Sequence, residues 1–547
     1  MLNKLVPAIV ASNIWKICLI PIVLLLLYKT YLRSLSARRN RQKAASLGCL
    51  SAPHGRTYLP YGLDHLYKIY RDAKAKKLLE MGPLFLESVR PGCKTVGLSL
   101  LGKDIVYTVE PENVKCILAT KFKDFQLSQE RHDVLAPLIG EGIFVANGEA
   151  WKHSRELLRP AFERARIDDP AMFEQHAASL ISAIPTDGTP IDLVPLFYSL
   201  SLDVATEFLF GQSTGCLARL SEKKGERTEA EDFADAYQHL VTNMDGMDSG
   251  WGFLGMFLPD PHRKKNIKTV HSFVDNIVAK AIAEEDSNAA ADEKAQHNGS
   301  DKGTYNFLQE LLRSMRDPIR LRGELLNILL AGRDTSASLL ANIFFTLSQN
   351  PAIYHRLEEE VLTAFPLPNP NSPTSDSQNP TFSSLKSLPY LRAIINESLR
   401  LYPIVPENSR EAARDTTIPL GGGPDGKSPV FVPKGYQVAW GLYGMQRRTD
   451  LYGADAAEFK PERWLDGEDG KGLRVGWEFV PFNGGPRICI GQQFALMETS
   501  YVLVKIIRSF EAMEPVEKGR VWTERFVLTC AVDGGVKVTM RPRGQRA

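Results

Sequence analysis

The sequence lacks the pairings that disulfide-stapled or zinc-bound scaffolds need. Its 547 residues hold seven cysteines, Cys18, Cys49, Cys93, Cys116, Cys216, Cys489 and Cys530, an odd number, widely spaced and without a CxxC. That pattern excludes a disulfide framework and a cysteine zinc site, and it fits a reducing compartment. An excess of one charge is missing too: 66 Lys and Arg against 64 Asp and Glu leave a net charge of +2. Neutralising phosphates takes clustered Lys and Arg, so no nucleic acid is expected as a partner. No GxGxxG or Walker pattern occurs, and the glycine-rich GGGPDG at 421–426 does not open a strand–helix phosphate turn, which excludes a nucleotide loop. There is no internal repeat and no clean linker between two domains.

What is present begins with apolar residues, 44% of the chain, enough for a sizeable core. The run from Leu5 to Tyr28, LVPAIVASNIWKICLIPIVLLLLY, is long enough to cross a bilayer, which takes about 20 mostly apolar residues. Only Lys4 precedes it, whereas Lys29, Arg33, Arg38, Arg39, Arg41 and Lys43 follow. Positive charge stays cytosolic, so residues 1–52 read as an uncleaved membrane anchor with a basic linker, and 53–547 as one cytosolic domain. Two polar stretches, 284–303 and 366–382, read as surface loops within that domain; the sequon at Asn298 falls in the first.

Helical patterns dominate. In DPIRLRGELLNILLAGRDTSASLLANIFFTLSQNP, Asp317 caps, Pro318 suits the first turn and Pro351 stops the helix. About 32 residues lie between, roughly 48 Å at 1.5 Å per residue. Apolar residues surround the middle, so burial is expected, yet GRDTS sits at the centre; such local inconsistencies are often functional. Strand-like runs are few: 95–110, 428–440 and 525–542. The fold class is mainly α with small β-sheets.

Four constellations carry chemistry. In PFNGGPRICIG, Gly484, Gly485 and Gly491 allow a close backbone approach to something flat and bulky, and Phe482 offers an aromatic wall. Backbone N–H groups, the following helix's N-terminal end and the Arg487 cation favour a thiolate at Cys489. Glu397 and Arg400, three apart on an apolar helix, can form a buried pair with Arg463 of FKPERW as a third member. In AGRDTS, Gly332 opens space, the Thr335 hydroxyl can bond back to the Ala331 carbonyl, and Asp334 can feed protons inward. WKHSR sets Trp151 and Arg155 on one helical face, where the arginine can clamp a carboxylate, with His153 on the helix surface.

Together these residues resemble the cytochrome P-450 monooxygenases, over nearly the whole chain after the anchor and with the motifs in that family's order. The resemblance implies the cytochrome P-450 fold and haem b as cofactor, with Cys489 as the thiolate ligand of the iron, the metal-binding residue. It implies haem contacts from Trp151, Arg155, Arg410, Phe482 and Arg487, a buried triad of Glu397, Arg400 and Arg463, and Asp334 and Thr335 as the catalytic acid–alcohol pair. GIFVANGEAWKHSRELLRPAF, AGRDTSA, DAAEFKPERW and WEFVPFNGGPRICIGQQFAL are similar to the fungal alkane and fatty-acid hydroxylases. Hydroxylation of a long aliphatic substrate follows as the expected reaction. With no flavin module on the chain, electrons are expected from an NADPH-dependent reductase on the same endoplasmic reticulum membrane. Ser336 replaces a common threonine, and Glu407 and Asn408 stand beside the expected substrate pocket. The alternative is therefore a tailoring oxidase of fungal secondary metabolism acting on a lipid- or polyketide-like intermediate.

Overall fold

The computed structural model describes residues 20, 24, 28–163, 170–221, 227–244, 258, 260–292, 307–367, 379–466 and 472–544. Its longest helix runs from Pro318 to Gln349, and its start is set as expected: the Asp317 side chain accepts from the N–H groups of Ile319 and Arg320. Pro351 opens the next helix, Pro351–Ala364, after one intervening residue. The long helix is buried on nearly every side, and it packs along the equally buried Leu193–Phe210 helix, where Phe197 and Phe344 meet at 5.1 Å. Both rings are 0% exposed, so truncating either to alanine would cost ~3–5 kcal/mol. Leu193–Phe210 is apolar and long enough to span a bilayer, but its residues are spent on this core.

Among the described residues, the strands form four small sheets. A five-stranded sheet joins β1 (Thr95–Leu100), β2 (Lys103–Thr108), β8 (Gln437–Gly441), β5 (Glu407–Ala412) and β3 (Phe125–Gln126) in that order. β6 (Thr416–Gly422) pairs with β7 (Ser428–Val432), and 421–426 spans the end of β6 and the turn that follows, which agrees with the rejection of a nucleotide loop. β10 (Glu524–Phe526) pairs with β11 (Cys530–Val532), while β12 (Lys537–Pro542) lies between β4 (Ile191–Asp192) and β9 (Phe510–Pro515). The three expected strand regions are all strands; β3, β4, β5, β6 and β9 were not foreseen, because short strands paired across the chain carry little periodicity of their own.

One loop expectation is corrected. Residues 284–292 belong to the Arg263–Asp292 helix, since Glu and Ala are strong helix formers even in a polar stretch. The rest of 284–303, most of 366–382 and nearly all of the Leu5–Tyr28 run lie outside the described residues; Ile20, Leu24 and Tyr28 of that run are helical and exposed, and the helix continues to Ser46.

Candidate functional site: a lone thiol and a cluster of arginines

Cys489 sits in the loop that precedes the Gln492–Ser509 helix, with Gly491 at that helix's N-cap. Its own N–H donates to the Phe482 carbonyl at 2.9 Å, closing the loop. Phe482 is half-buried and packs on the main core. A water-sized probe reaches Cys489, yet burial pushes its thiol up from the ordinary range, with the Gly491 N–H and the Arg155 cation pulling the other way.

Three expectations about this loop change. The cation that acts on the sulfur is Arg155, not Arg487. Arg487 reaches away to the carbonyls of Ile143 and Ala146, at 3.2 and 2.9 Å, and lies 4.4 Å from the Trp151 ring. The loop does not ionise the thiol unaided, because desolvation outweighs both stabilising groups; a metal ion at the sulfur is what deprotonates a coordinating thiol. Nor are the glycines all given to a flat ligand. A Cβ on Gly485, whose φ is +63°, would meet the Leu118 carbonyl oxygen at 1.9 Å, and one on Gly484 would meet the Trp477 ring at 2.5 Å. A Cβ on Gly491 would lie in ordinary contact with the Phe162 ring at 3.7 Å and the Cys489 sulfur at 4.0 Å.

Trp151 and Arg155 share one face of the Gly148–Leu158 helix, and the Arg155 guanidinium lies 6.0 Å from the Trp151 ring; His153 is exposed, as expected. Arg410 enters from β5, 6% exposed, donating to Asn408 Oδ1 and the Ser409 carbonyl and lying 5.5 Å from the Trp440 ring. Arg131, from the Gln129–Ile139 helix, donates to the Phe144 carbonyl. Burial, then Arg131, then Arg487 pull the Arg410 pKa well below the arginine range, and burial with Arg131 and Arg155 pulls Arg487 down to about 10. Arg410 and Arg487 are thus lowered by other members of this group, Arg131 by burial and Arg155 by burial and Arg159, and none of the four is paired with a carboxylate among the described residues. Arg131 was missed in the sequence because nothing in QERHDV marks its burial; only tertiary contact brings it beside Arg410.

The second arginine constellation is the opposite case. Glu397 and Arg400 are each 0% exposed and form a two-pronged pair at 2.8 Å. Arg463 joins at 2.9 Å, as expected, and the N–H groups of Lys460 and of the Trp464 indole also donate to Glu397. Arg400 spends its remaining hydrogens on the carbonyls of Gln446, Ala456 and Glu458.

On the long helix, the Thr335 hydroxyl donates to the Ala331 carbonyl at 2.6 Å, the back-bond expected from the spacing. Asp334 is 2% exposed and pairs with Arg333 at 2.8 Å. A Cβ at Gly332 would meet only Ala205, at 3.8 Å, so protein packing does not demand glycine there. Glu407 and Asn408 do not lend polarity to a pocket: Tyr107 donates to Glu407 at 3.0 Å and Arg410 to Asn408. Both side chains have a partner within the protein.

The cytochrome P450 family model matches residues 90–529. The chain is 38% identical to the cytochrome P450 monooxygenase g430 of Fusarium sp, over 94% of this chain and 88% of that one. It is 39% identical to the cytochrome P450 monooxygenase himC of Aspergillus japonicus, over 93% and 87%. Cytochrome P450 52A4 of Candida maltosa is 43% identical over 77% of this chain and 76% of its own. The crystal structure of the cytochrome P450DA heme domain superposes with a TM-score of 0.71 over 90% of this chain and 98% of that one, at 20% identity, which shows the fold. The family match, these relatives and this fold identify the chain as a member of the cytochrome P450 family, a monooxygenase that carries haem b on a cysteine thiolate.

Proposed function

We propose that Cys489 is that thiolate and that Arg131, Arg155, Arg410 and Arg487, with Trp151, hold the acidic edge of the haem. The observation that carries this reading is the arginine cluster: buried like charges are costly unless an anion joins them, and the haem carboxylates are such anions. Phe482 supplies an apolar surface at the same loop. When bound, haem activates dioxygen with electrons from a reductase. The protein's share is to hold the sulfur within reach of the Gly491 N–H and the Arg155 charge. Asp334 and Thr335 are read as the pair that moves protons toward the site, Asp334 from the buried side of the helix and Thr335 from its hydroxyl.

The substrate reading is a long aliphatic chain, a fatty acid or alkane, hydroxylated with electrons from an NADPH-dependent reductase. Support comes from the motif resemblance to fungal alkane and fatty-acid hydroxylases and from the likeness to P450 52A4 and P450 52A1 of Candida tropicalis, both at 43% identity. A tailoring oxidase of secondary metabolism is the second reading, favoured by the wider coverage of the g430 and himC monooxygenases. In either case the basic, exposed helix 28–46 suits a segment leaving a cytosolic membrane face, with 1–52 as anchor and the remainder as catalytic domain.

The test uses microsomes holding the full chain and a fungal reductase, fed NADPH with a panel of alkanes and fatty acids, products read by mass spectrometry. Terminal hydroxylation of plain chains is expected, and Cys489→Ala should lose both turnover and the haem-thiolate spectrum. A normal spectrum without turnover on any plain chain would move the assignment to the second reading. A thiolate spectrum surviving in Cys489→Ala would remove Cys489 as the ligand.

A further inference from the structure

Three buried polar atoms without a hydrogen-bond partner belong to one cluster at the middle of the long helix: Asp334 Oδ2, Arg333 Nε and the Tyr237 hydroxyl. Arg333 is 4% exposed and lies between two aromatic rings, 4.9 Å from Tyr198 and 5.5 Å from Tyr237. One of its terminal nitrogens donates to Asp334 Oδ1 at 2.8 Å, and the other donates to Gln238 Oε1. Tyr198 comes from the Leu193–Phe210 helix, and Tyr237 and Gln238 come from the Glu229–Thr242 helix.

Neighbouring residues on a helix do not normally face each other. An ion pair between positions 333 and 334 therefore requires the guanidinium to be turned back along the helix, and the two rings and Gln238 are what turn it. The pair is also incomplete. One carboxylate oxygen is engaged and the other is buried and free, an arrangement that costs on the order of 1–3 kcal/mol for each unsatisfied group. Stability does not explain keeping it; the Glu397–Arg400 pair, by contrast, is satisfied throughout.

We propose that Arg333 is a positioning residue: clamped by Tyr198, Tyr237 and Gln238, it holds Asp334 with one oxygen engaged and one free, and so ties proton supply at Thr335 to the seating of the Glu229–Thr242 helix. This rests on the reading of Asp334 and Thr335 as the proton-delivering pair. Burial raises the Asp334 carboxyl above the usual carboxylate range, and the charge and hydrogen bond of Arg333 pull it back, with Arg525 of β10 adding to that pull. The other titratable groups facing the pair are Tyr198, Tyr237 and, near Arg333, Cys216. Without Arg333 the carboxyl should hold its proton more tightly.

Infrared difference spectroscopy of the full-length holoprotein tests this directly. The carboxylic C=O stretch of Asp334, assigned by its loss in Asp334→Asn, is followed as the pH is stepped. Arg333→Gln should raise the proton affinity of Asp334 by about tenfold, the worth of a single pKa unit. Arg333→Lys should restore most of it, and Gln238→Leu, which touches Arg333 but not Asp334, should move the band the same way by less. The fraction of NADPH consumption ending as hydrogen peroxide should follow the same order. An unchanged titration in Arg333→Gln that keeps the wild-type haem spectrum overturns the proposal, as would a Gln238→Leu titration identical to wild type for the link to the neighbouring helix. A band that moves as expected while Asp334→Asn couples as well as wild type would overturn the proton-delivery reading instead, leaving Arg333 with its hold on Asp334 alone.

Discussion

Two groups of buried arginines in this protein do opposite things. Around Glu397, every hydrogen of Arg400 and Arg463 that the fold hides finds a protein acceptor, and Glu397 takes donors from four residues. Around Trp151, Arg131 and Arg155 press on the pKa of Arg410 or Arg487, and all four arginines find carbonyls, an amide or ring faces but no carboxylate among the described residues. The first network is complete without a ligand and serves the fold. The second finds no carboxylate among the described residues, and in the proposed reading the anion that completes it comes from the cofactor. Buried charge is tolerable in both, for different reasons: in one the counter-charge is covalently part of the chain, in the other it is brought in.

The comparison can be broken at its strong end first. Glu397→Ala would leave two buried guanidinium groups without their carboxylate and should cost about 3–5 kcal/mol. The expected result is little or no folded holoprotein; a variant with wild-type denaturant midpoint would show that the triad is dispensable. A smaller and opposite effect is expected at Arg410. Arg410→Leu removes one of four repelling cations, so the haem-free protein should unfold at equal or higher denaturant. Release of haem to an acceptor protein should meanwhile quicken about tenfold, equivalent to about 1.4 kcal/mol. If the haem-free protein were instead as crippled as Glu397→Ala, the two clusters would not differ in kind.

The smallest effect sharpens the comparison with a buried carboxyl that has no cation partner among its shown contacts. Glu498 is 1% exposed on the Gln492–Ser509 helix and accepts from Ser201 at 3.0 Å. Burial raises it to about 7, against the hydrogen bonds from Ser336 and Ser201. An unfolded glutamate titrates near ~4.3. Between those values the folded state keeps a proton that the unfolded state has lost, so stability should fall as the pH rises through that window. Glu498→Gln should flatten that fall, seen as a smaller drop in denaturant midpoint from pH 5 to pH 7. An identical drop in both proteins would assign the pH dependence elsewhere.

Much of the site is legible before folding. The spacing Glu397–Arg400 places two side chains on one helical face, and PERW supplies the third member because its arginine follows a proline-set turn. Thr335 bonds to Ala331 because four residues is one helical turn. Arg131 and Arg333 were not legible, since each gains its role from residues distant in sequence: Arg410 and Arg487 for the first, Tyr198, Tyr237 and Gln238 for the second. The glycines of the Cys489 loop were legible as necessary but not for what; Leu118 and Trp477, more than any flat ligand, require Gly485 and Gly484.

By itself, the sequence determined the long capped helix, its buried GRDTS centre, the Glu397 triad and the isolation of Cys489, because each depends on periods of three and four residues or on motifs within one short segment. Only the tertiary structure decided which cation acts on the sulfur, which arginines lack a carboxylate, and that Glu407 and Asn408 are answered by Tyr107 and Arg410. Those outcomes depend on burial and on distances between segments far apart in the chain, and electrostatic energies are set by distance and surroundings rather than by residue type.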